Sequence, residues 1–300
     1  MKLSLKQKKS LFGYLYISPW LLGFLLFFLT PILNTVQFSL NEVKLSAHGY
    51  TLNYLGIGNF ISAFTEDEKF PRFLYEAVMK MITDLPVLLI FSLFAAVLLY
   101  KKFIGNSTVK TIFFLTVVLS SGVFLKMQAD TMYVNNMQMS AAMQEGASSL
   151  TMLQSFNLEN YLLEAGISPT VMAYITTPIN RIFEVISKSG IQVFIFLAGL
   201  NSISPSIYEA SHIEGATGWE NFWKITLPMI SPLILVNIVY TVIDSFIAYT
   251  NEALYYINQI GLKDLRIGYA SALSWIYFVV IGGILAIIVY LVSKKVFYQT

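Results

Sequence analysis

Residues 191–250 read IQVFIFLAGLNSISPSIYEASHIEGATGWENFWKITLPMISPLILVNIVYTVIDSFIAYT. Two apolar runs, within 182–203 and 229–250, bracket a polar stretch at 204–228. Apolar runs of about 20 residues are long enough to cross a bilayer as helices. Backbone groups in lipid must bond internally, which leaves helices or closed barrels, and these runs far exceed the short alternating strands of a barrel. The stretch between them is punctuated like folded structure. Pro205 suits a first helical turn, where its missing N–H costs nothing. Ser206 and Glu209 have the spacing of a capping box, as do Thr217 and Glu220. Gly215 between them can supply a left-handed turn that ends a helix. The spacing predicts a helix, a glycine hinge and a second short helix to about Thr226, with Pro228 opening the next span.

The same reading extends outward. Apolar residues make up 56% of the chain and charged residues 12%, too few charges to solvate a soluble domain of this length. The pattern predicts an all-α membrane protein, one transmembrane domain over 1–300, with six spans at about 12–38, 77–100, 108–126, 182–203, 229–250 and 269–293. Lys2, Lys6, Lys8 and Lys9 precede the first span as in a signal peptide, but the apolar run is too long and lacks a small-x-small cleavage site, so a retained helix is expected. Lysines at the N-terminal tail, at Lys101, Lys102 and Lys110, and at Lys294 and Lys295 all fall on one side of a six-span chain. That side is cytoplasmic by the positive-inside rule, with both termini inside. Residues 39–76 then form an outer loop in which Glu66, Asp67 and Glu68 read as a solvated face or a contact for an outside protein. Residues 127–181 form an outer segment, too polar to span. The chain contains no cysteine, which excludes disulfides, thiolate metal sites and cysteine nucleophiles. The methionines from Met127 to Met143 lack nearby His or Cys and read as apolar packing. No phosphate loop, no nucleophile–base arrangement and no clustered metal ligands are present. Neither a catalytic nor a metal site is expected, and nothing suggests nucleic acid.

Glu209-Ala210-Ser211, Gly215 and Ile225-Thr226-Leu227-Pro228 match the spacing of a known motif, the EAA loop. On these residues the chain resembles the permease subunits of binding-protein-dependent ABC importers. Leu197-Ala198-Gly199-Leu200, Gly215-Ala216, Trp219 and Phe222 resemble the carbohydrate-uptake branch, as do Ile17-Ser18-Pro19-Trp20, Asn59-Phe60 and Gly268-Tyr269-Ala270-Ser271-Ala272. Ser211, Glu214 and Thr116 depart mildly from the family pattern. The segment 127–181 departs more, retaining only Asn160-Tyr161-Leu162-Leu163 and Gly166. The resemblance implies a type I ABC importer permease fold in a bacterial plasma membrane. It implies that Tyr208, Glu209, Ala210, Ser211, Gly215, Ala216, Leu227 and Pro228 form a coupling helix docked on an ATPase. ATP and Mg would be bound by two separate ATPase subunits and no cofactor by this chain. A second permease and an extracellular solute-binding protein complete the expected set. The short C-terminus after Lys295 points to the first-type member of a heterodimeric pair.

The fifth span carries Asn237, Tyr240, Thr241 and Asp244 at i, i+3, i+4 and i+7, which is one helical face. Polar groups in a membrane helix face other helices or water. A sugar would need such hydrogen-bonding groups and aromatic surfaces such as Tyr240 or Trp275; Gln192 on the fourth span is a further candidate. Helix packing is the competing account of the same stripe. Two other function classes fit parts of the chain. An ion-coupled secondary transporter would use Asp84, Glu184 and Asp244, and a membrane scaffold or sensor would leave the capped loop without a task.

Overall fold

The computed structural model describes residues 5–46, 49–101, 103–119, 169–248 and 250–294. The expectations for the N-terminal Lys2, for Lys102 and Lys295, for the end of the third span at 120–126, and for the outer segment up to residue 168 lie outside them. The chain divides into two units, residues 1–79 with 250–284 and residues 80–249 with 285–300. Among the described residues four helices are long and apolar enough to cross a membrane: Tyr14–Ser39, Lys69–Tyr100, Gly218–Ile247 and Ile267–Ser293. The helix pair Thr176–Lys188 and Gly190–Ser202, bent by 51°, makes a fifth when counted as one span.

In the first unit, α1 (Leu5–Phe24) passes through a wide turn at Leu25–Leu29 into α2 (Thr30–Ser39). The wide turn has a local cause. Pro31 has no N–H, and its ring would press on a carbonyl four residues back in a regular α-helix. Widening the turn just before it relieves that clash, and Thr30 returns its N–H and its hydroxyl to the Leu25 carbonyl.

The loop after α2 is more ordered than its sequence suggests. It is an antiparallel hairpin of β1 (Asn41–Ser46) and β2 (Gly49–Tyr54), registered from Asn41 opposite Tyr54 to Ser46 opposite Gly49. The expectation of an all-α chain is corrected to this extent. The hairpin leads to α3 (Gly58–Thr65) and then α4 (Lys69–Tyr100), so the second span's helix begins well before residue 77. Asn59 Nδ2 donates to the carbonyls of Ser39 (3.0 Å) and Asn41 (3.1 Å), pinning α3 to the end of α2. Asp67 is no solvated charge. One carboxylate oxygen caps α4 by accepting from the N–H groups of Lys69 and Phe70, both at 3.0 Å. The other accepts from the hydroxyls of Tyr256 (2.9 Å) and Tyr269 (2.8 Å). Those tyrosines lie on α11 (Glu252–Leu262), an amphipathic helix that the span pattern does not foresee, and on α12 (Ile267–Ser293). Burial works against the Asp67 charge, but the Phe70 N–H, the two tyrosine hydroxyls and the Lys69 N–H outweigh it and hold the carboxyl below its ordinary value of 3.8. Burial and the neighbouring carboxylate push Tyr256 up to about 12. Gly268 completes the knot, because a Cβ there would run into the backbone carbonyl of Asn41.

The second unit holds the rest of α4, then α5 (Asn106–Leu119), α6 (Pro169–Lys188), α7 (Gly190–Ser202), α8 (Pro205–Ile213), α9 (Gly218–Asn221) and α10 (Leu227–Ile247). The fourth span is not one straight helix over 182–203. It starts at Pro169 and bends by 51° at Ser189, between α6 and α7. Ala95, Ala96 and Leu99 of α4, Val193, Phe196, Leu197 and Leu200 of α7, and Ile230 of α10 form the core. Where α7 meets α10, a Cβ at Gly199 would have to displace the tip of the Leu233 side chain.

Candidate functional site

The polar stretch 204–228 folds as two helices around a glycine. Pro205 occupies the first turn of α8. The helix ends in a Schellman motif: the Gly215 N–H bonds the His212 carbonyl (3.0 Å) and the Ala216 N–H bonds the Ser211 carbonyl (3.0 Å). Gly215 has φ +82°, which favours glycine. Thr217 then caps α9 with a full capping box: its hydroxyl accepts from the Glu220 N–H (3.3 Å), and the Glu220 carboxylate accepts from the Thr217 N–H (2.9 Å).

Two local expectations are corrected. The first concerns Ser206, which makes no capping box with Glu209. The helix starts at Pro205, so Ser204 is the cap residue and makes no side-chain cap bond; the Ser206 hydroxyl instead lies 2.8 Å from that of Ser204. Glu209 is thereby released from its own helix and is exposed. The second concerns the end of α9. Its helix does not stop at Thr226 but widens at Phe222–Thr226 and continues as α10, with Pro228 in the first turn. The device is the one seen before Pro31: a wide turn precedes a proline, and a threonine hydroxyl, here of Thr226, returns to the carbonyl five residues back at Asn221 (3.2 Å).

These details make the loop a rigid extension of the fifth span. The Tyr208 hydroxyl meets the Thr226 hydroxyl at 2.8 Å, joining α8 to the wide turn. Ser211 is buried and donates to the Tyr208 carbonyl (2.8 Å). The outer surface carries exposed Glu209 and Ala210 together with exposed Ile213, Trp219 and Trp223. Leu227 and Pro228 are half-buried at the start of α10.

The polar stripe of α10 divides into three parts. Gln192 and Thr241 are fully buried and face each other between α7 and α10. The Gln192 amide is satisfied with its nitrogen donating to the carbonyls of Lys188 (2.8 Å) and Ser189 (3.3 Å) and its oxygen accepting from the Thr241 hydroxyl (3.2 Å). Asn237 is fully buried, and both of its side-chain polar atoms lack partners. Tyr240 and Asp244 are half-buried and hydrogen-bond each other. Trp275 belongs to the other unit, half-buried and edge-on to Phe278.

A charged cluster that the sequence reading took only as separate carboxylates stands beside the stripe. Arg181, Glu184 and Lys188 occupy one face of α6 at i, i+3 and i+7, a spacing that could have flagged them. Arg181 pairs with Asp84 of α4 and with Glu184 (2.9 Å). Lys188 pairs with Glu184 (2.6 Å) and Asp84 (3.8 Å), and Lys80 approaches Glu184 at 3.6 Å. Asp84 is buried, so its charge depends on these cations. Among the described residues no group of His, Asp and Glu could hold a metal ion.

Three comparisons relate the chain to known proteins. Residues 185–299, which include the loop and its flanking helices, match the family described as the binding-protein-dependent transport system inner membrane component. The chain is 28% identical over 314 residues to the probable ABC transporter permease protein YesP of Bacillus subtilis (strain 168), covering 98% of this chain and 94% of that protein. It is 26% identical over 242 residues to the lactose transport system permease protein LacF of Rhizobium radiobacter, covering 77% and 72%. Its fold is similar to a chain in the crystal structure of a bacterial alginate ABC transporter in complex with an alginate pentasaccharide-bound periplasmic protein. The TM-score is 0.61 at 20% identity, covering 95% of this chain and 93% of that one. These relatives are transport permeases rather than enzymes.

Proposed function

We propose that this chain, whose residues 185–299 match the binding-protein-dependent transport system inner membrane component, is one permease subunit of an ATP-driven bacterial importer for a sugar or oligosaccharide. It crosses the plasma membrane six times with both termini in the cytoplasm. A second permease completes the translocation path, an extracellular binding protein delivers the solute, and two ATPase subunits bind ATP and Mg. ATP binding closes the ATPases and moves the permeases between inward-open and outward-open forms through the loop 204–228. The solute class rests on relatives whose names refer to lactose and alginate.

The observation that carries this reading is the state of Glu209. It is exposed at the surface of a knob made rigid by the Schellman turn, the Thr217 box and the Tyr208–Thr226 bridge, and it serves no capping role in its own helix. A carboxylate freed from local duty beside exposed Ile213 and Trp219 suits contact with another protein. An ion-coupled carrier is less well supported, since Asp84 and Glu184 are already held by Arg181, Lys188 and Lys80. The test is Glu209→Lys in the assembled transporter. Uptake should fall at least tenfold, with the chain inserted and thermally stable as before. Native uptake in this variant refutes the coupling role.

A further inference from the structure

Three helices of the second unit bring charge to one level. Counted along its own helix at 1.5 Å per residue, Asp84 lies roughly 24 Å from Tyr100 of α4 and Asp244 roughly 24 Å from Pro228 of α10, while Lys188 ends α6 just before the bend into α7. Beneath this level lie polar groups of another kind: the buried Gln192–Thr241 pair, and one turn further in, Asn237 with its unpartnered amide. The order along the seam between α7 and α10 is therefore paired charges, then a neutral bridge, then an unsatisfied amide.

Lys188 has a special position in this order. It is the last residue of α6, and the chain bends by 51° at the next residue. Its ammonium is shared between Glu184 on its own helix and Asp84 on α4. Arg181, two turns earlier on the same face, ties α6 to the same Asp84. A helix that ends at a bend and is held to its neighbours by ion pairs can pivot when those pairs exchange. The Gln192 amide, bonded to the carbonyls of Lys188 and Ser189, connects that bend directly to Thr241.

We infer that Asp84, Arg181, Glu184 and Lys188 form an ionic latch at the outer end of the seam, which holds α6 closed over the Gln192–Thr241 bridge and swings at Ser189 to admit solute. The groups pair with one another rather than with a bound ion. Lys80, half-exposed at the margin of the cluster, contributes a weaker contact. The latch takes its outward orientation from the importer reading.

The chain has no cysteine, so a single introduced thiol reports without background. The probe is Thr241→Cys in the full chain in cell membranes, labelled from outside with a membrane-impermeant maleimide. With the latch intact labelling is slow. Lys188→Met, which keeps the apolar stem and removes the charge, raises the rate at least tenfold, while Lys188→Arg remains slow. Raising salt from 0.1 to 1 M, which shortens screening from about 10 to 3 Å, accelerates labelling of the otherwise unaltered chain and needs no further variant to fold. Rates within twofold across Lys188→Met, Lys188→Arg and the salt series overturn the latch. Labelling requires neither ATPase nor binding protein, so that outcome leaves the importer reading standing. Native uptake by Glu209→Lys would sink the coupling role without touching the labelling result.

Discussion

Replacing Gly215 in a graded series separates the hinge's backbone conformation from every contact around it. Gly215 has φ +82°, and a Cβ there would meet nothing within 4 Å. Gly215→Ala therefore costs only the left-handed backbone penalty, about 1–2 kcal/mol. At about 1.4 kcal/mol per tenfold, that lowers the population of the native turn by roughly one order of magnitude relative to its alternatives. Gly215→Asn should cost less, because asparagine enters the left-handed region more readily. Gly215→Pro fails on three counts. The ring fixes φ near −65°, the Gly215 N–H no longer reaches the His212 carbonyl at 3.0 Å, and Glu214, now helical with φ −75° and ψ −1°, is pushed out of the helical region. The combined cost exceeds about 3 kcal/mol, enough to unseat α8 from α9 while the core of α4, α7 and α10 remains packed. The assay is solute uptake per ATP hydrolysed in liposomes containing the complete transporter, with thermal unfolding of the purified chain as control. The expected order of coupling is Gly, then Asn, then Ala, with Pro inactive and its ATP hydrolysis no longer stimulated by loaded binding protein. Equal effects of Ala and Asn would refute φ as the cause. Native uptake by Gly215→Pro would refute the hinge itself.

Other expectations follow from the outer knot and the polar stripe. Gly268→Ala drives a methyl group into the Asn41 carbonyl and crowds that of Phe38 at 3.1 Å; it should destabilise the hairpin by about 1–3 kcal/mol, read as faster proteolysis at 41–54. Asp67 has a folded pKa below its ordinary 3.8, so its contribution to stability is complete above that value and disappears as pH falls through the lowered one. Hydrogen exchange of α11 should accelerate only in that acid window, and Asp67→Asn should remove the acid dependence while loosening α11 at neutral pH. Asn237→Leu removes an amide whose unsatisfied burial costs about 1–3 kcal/mol, so it should raise the melting temperature while weakening uptake; a variant with native solute dependence returns Asn237 to packing. Tyr240→Ala should weaken uptake without disturbing assembly, and unchanged solute dependence of uptake would remove Tyr240 from the path.

The hairpin at 41–54 escaped the sequence reading because its alternation is short and only Val43 and Asn41 are buried, a pattern that a polar loop shares. The amphipathic α11 sits between two longer apolar runs and is too short to register as a span. Ser206–Glu209 had the right spacing for a cap and the wrong position, since spacing cannot say which residue begins a helix that a proline opens.

What the sequence determined by itself about this protein are the features set within a few turns of chain. They include the apolar character and approximate places of the described long helices, the left-handed turn at Gly215, the Thr217–Glu220 box and the prolines at helix starts. The tertiary structure alone decided which distant groups meet. Asp84 finds Arg181 across 97 positions, Asp67 finds Tyr256 and Tyr269 across 189 and 202, and Gln192 finds Thr241 across 49. Helical periodicity fixes which face a residue occupies, but only packing fixes the opposing face. In a low-dielectric setting that partner decides whether a charge is a liability, a strut or a latch.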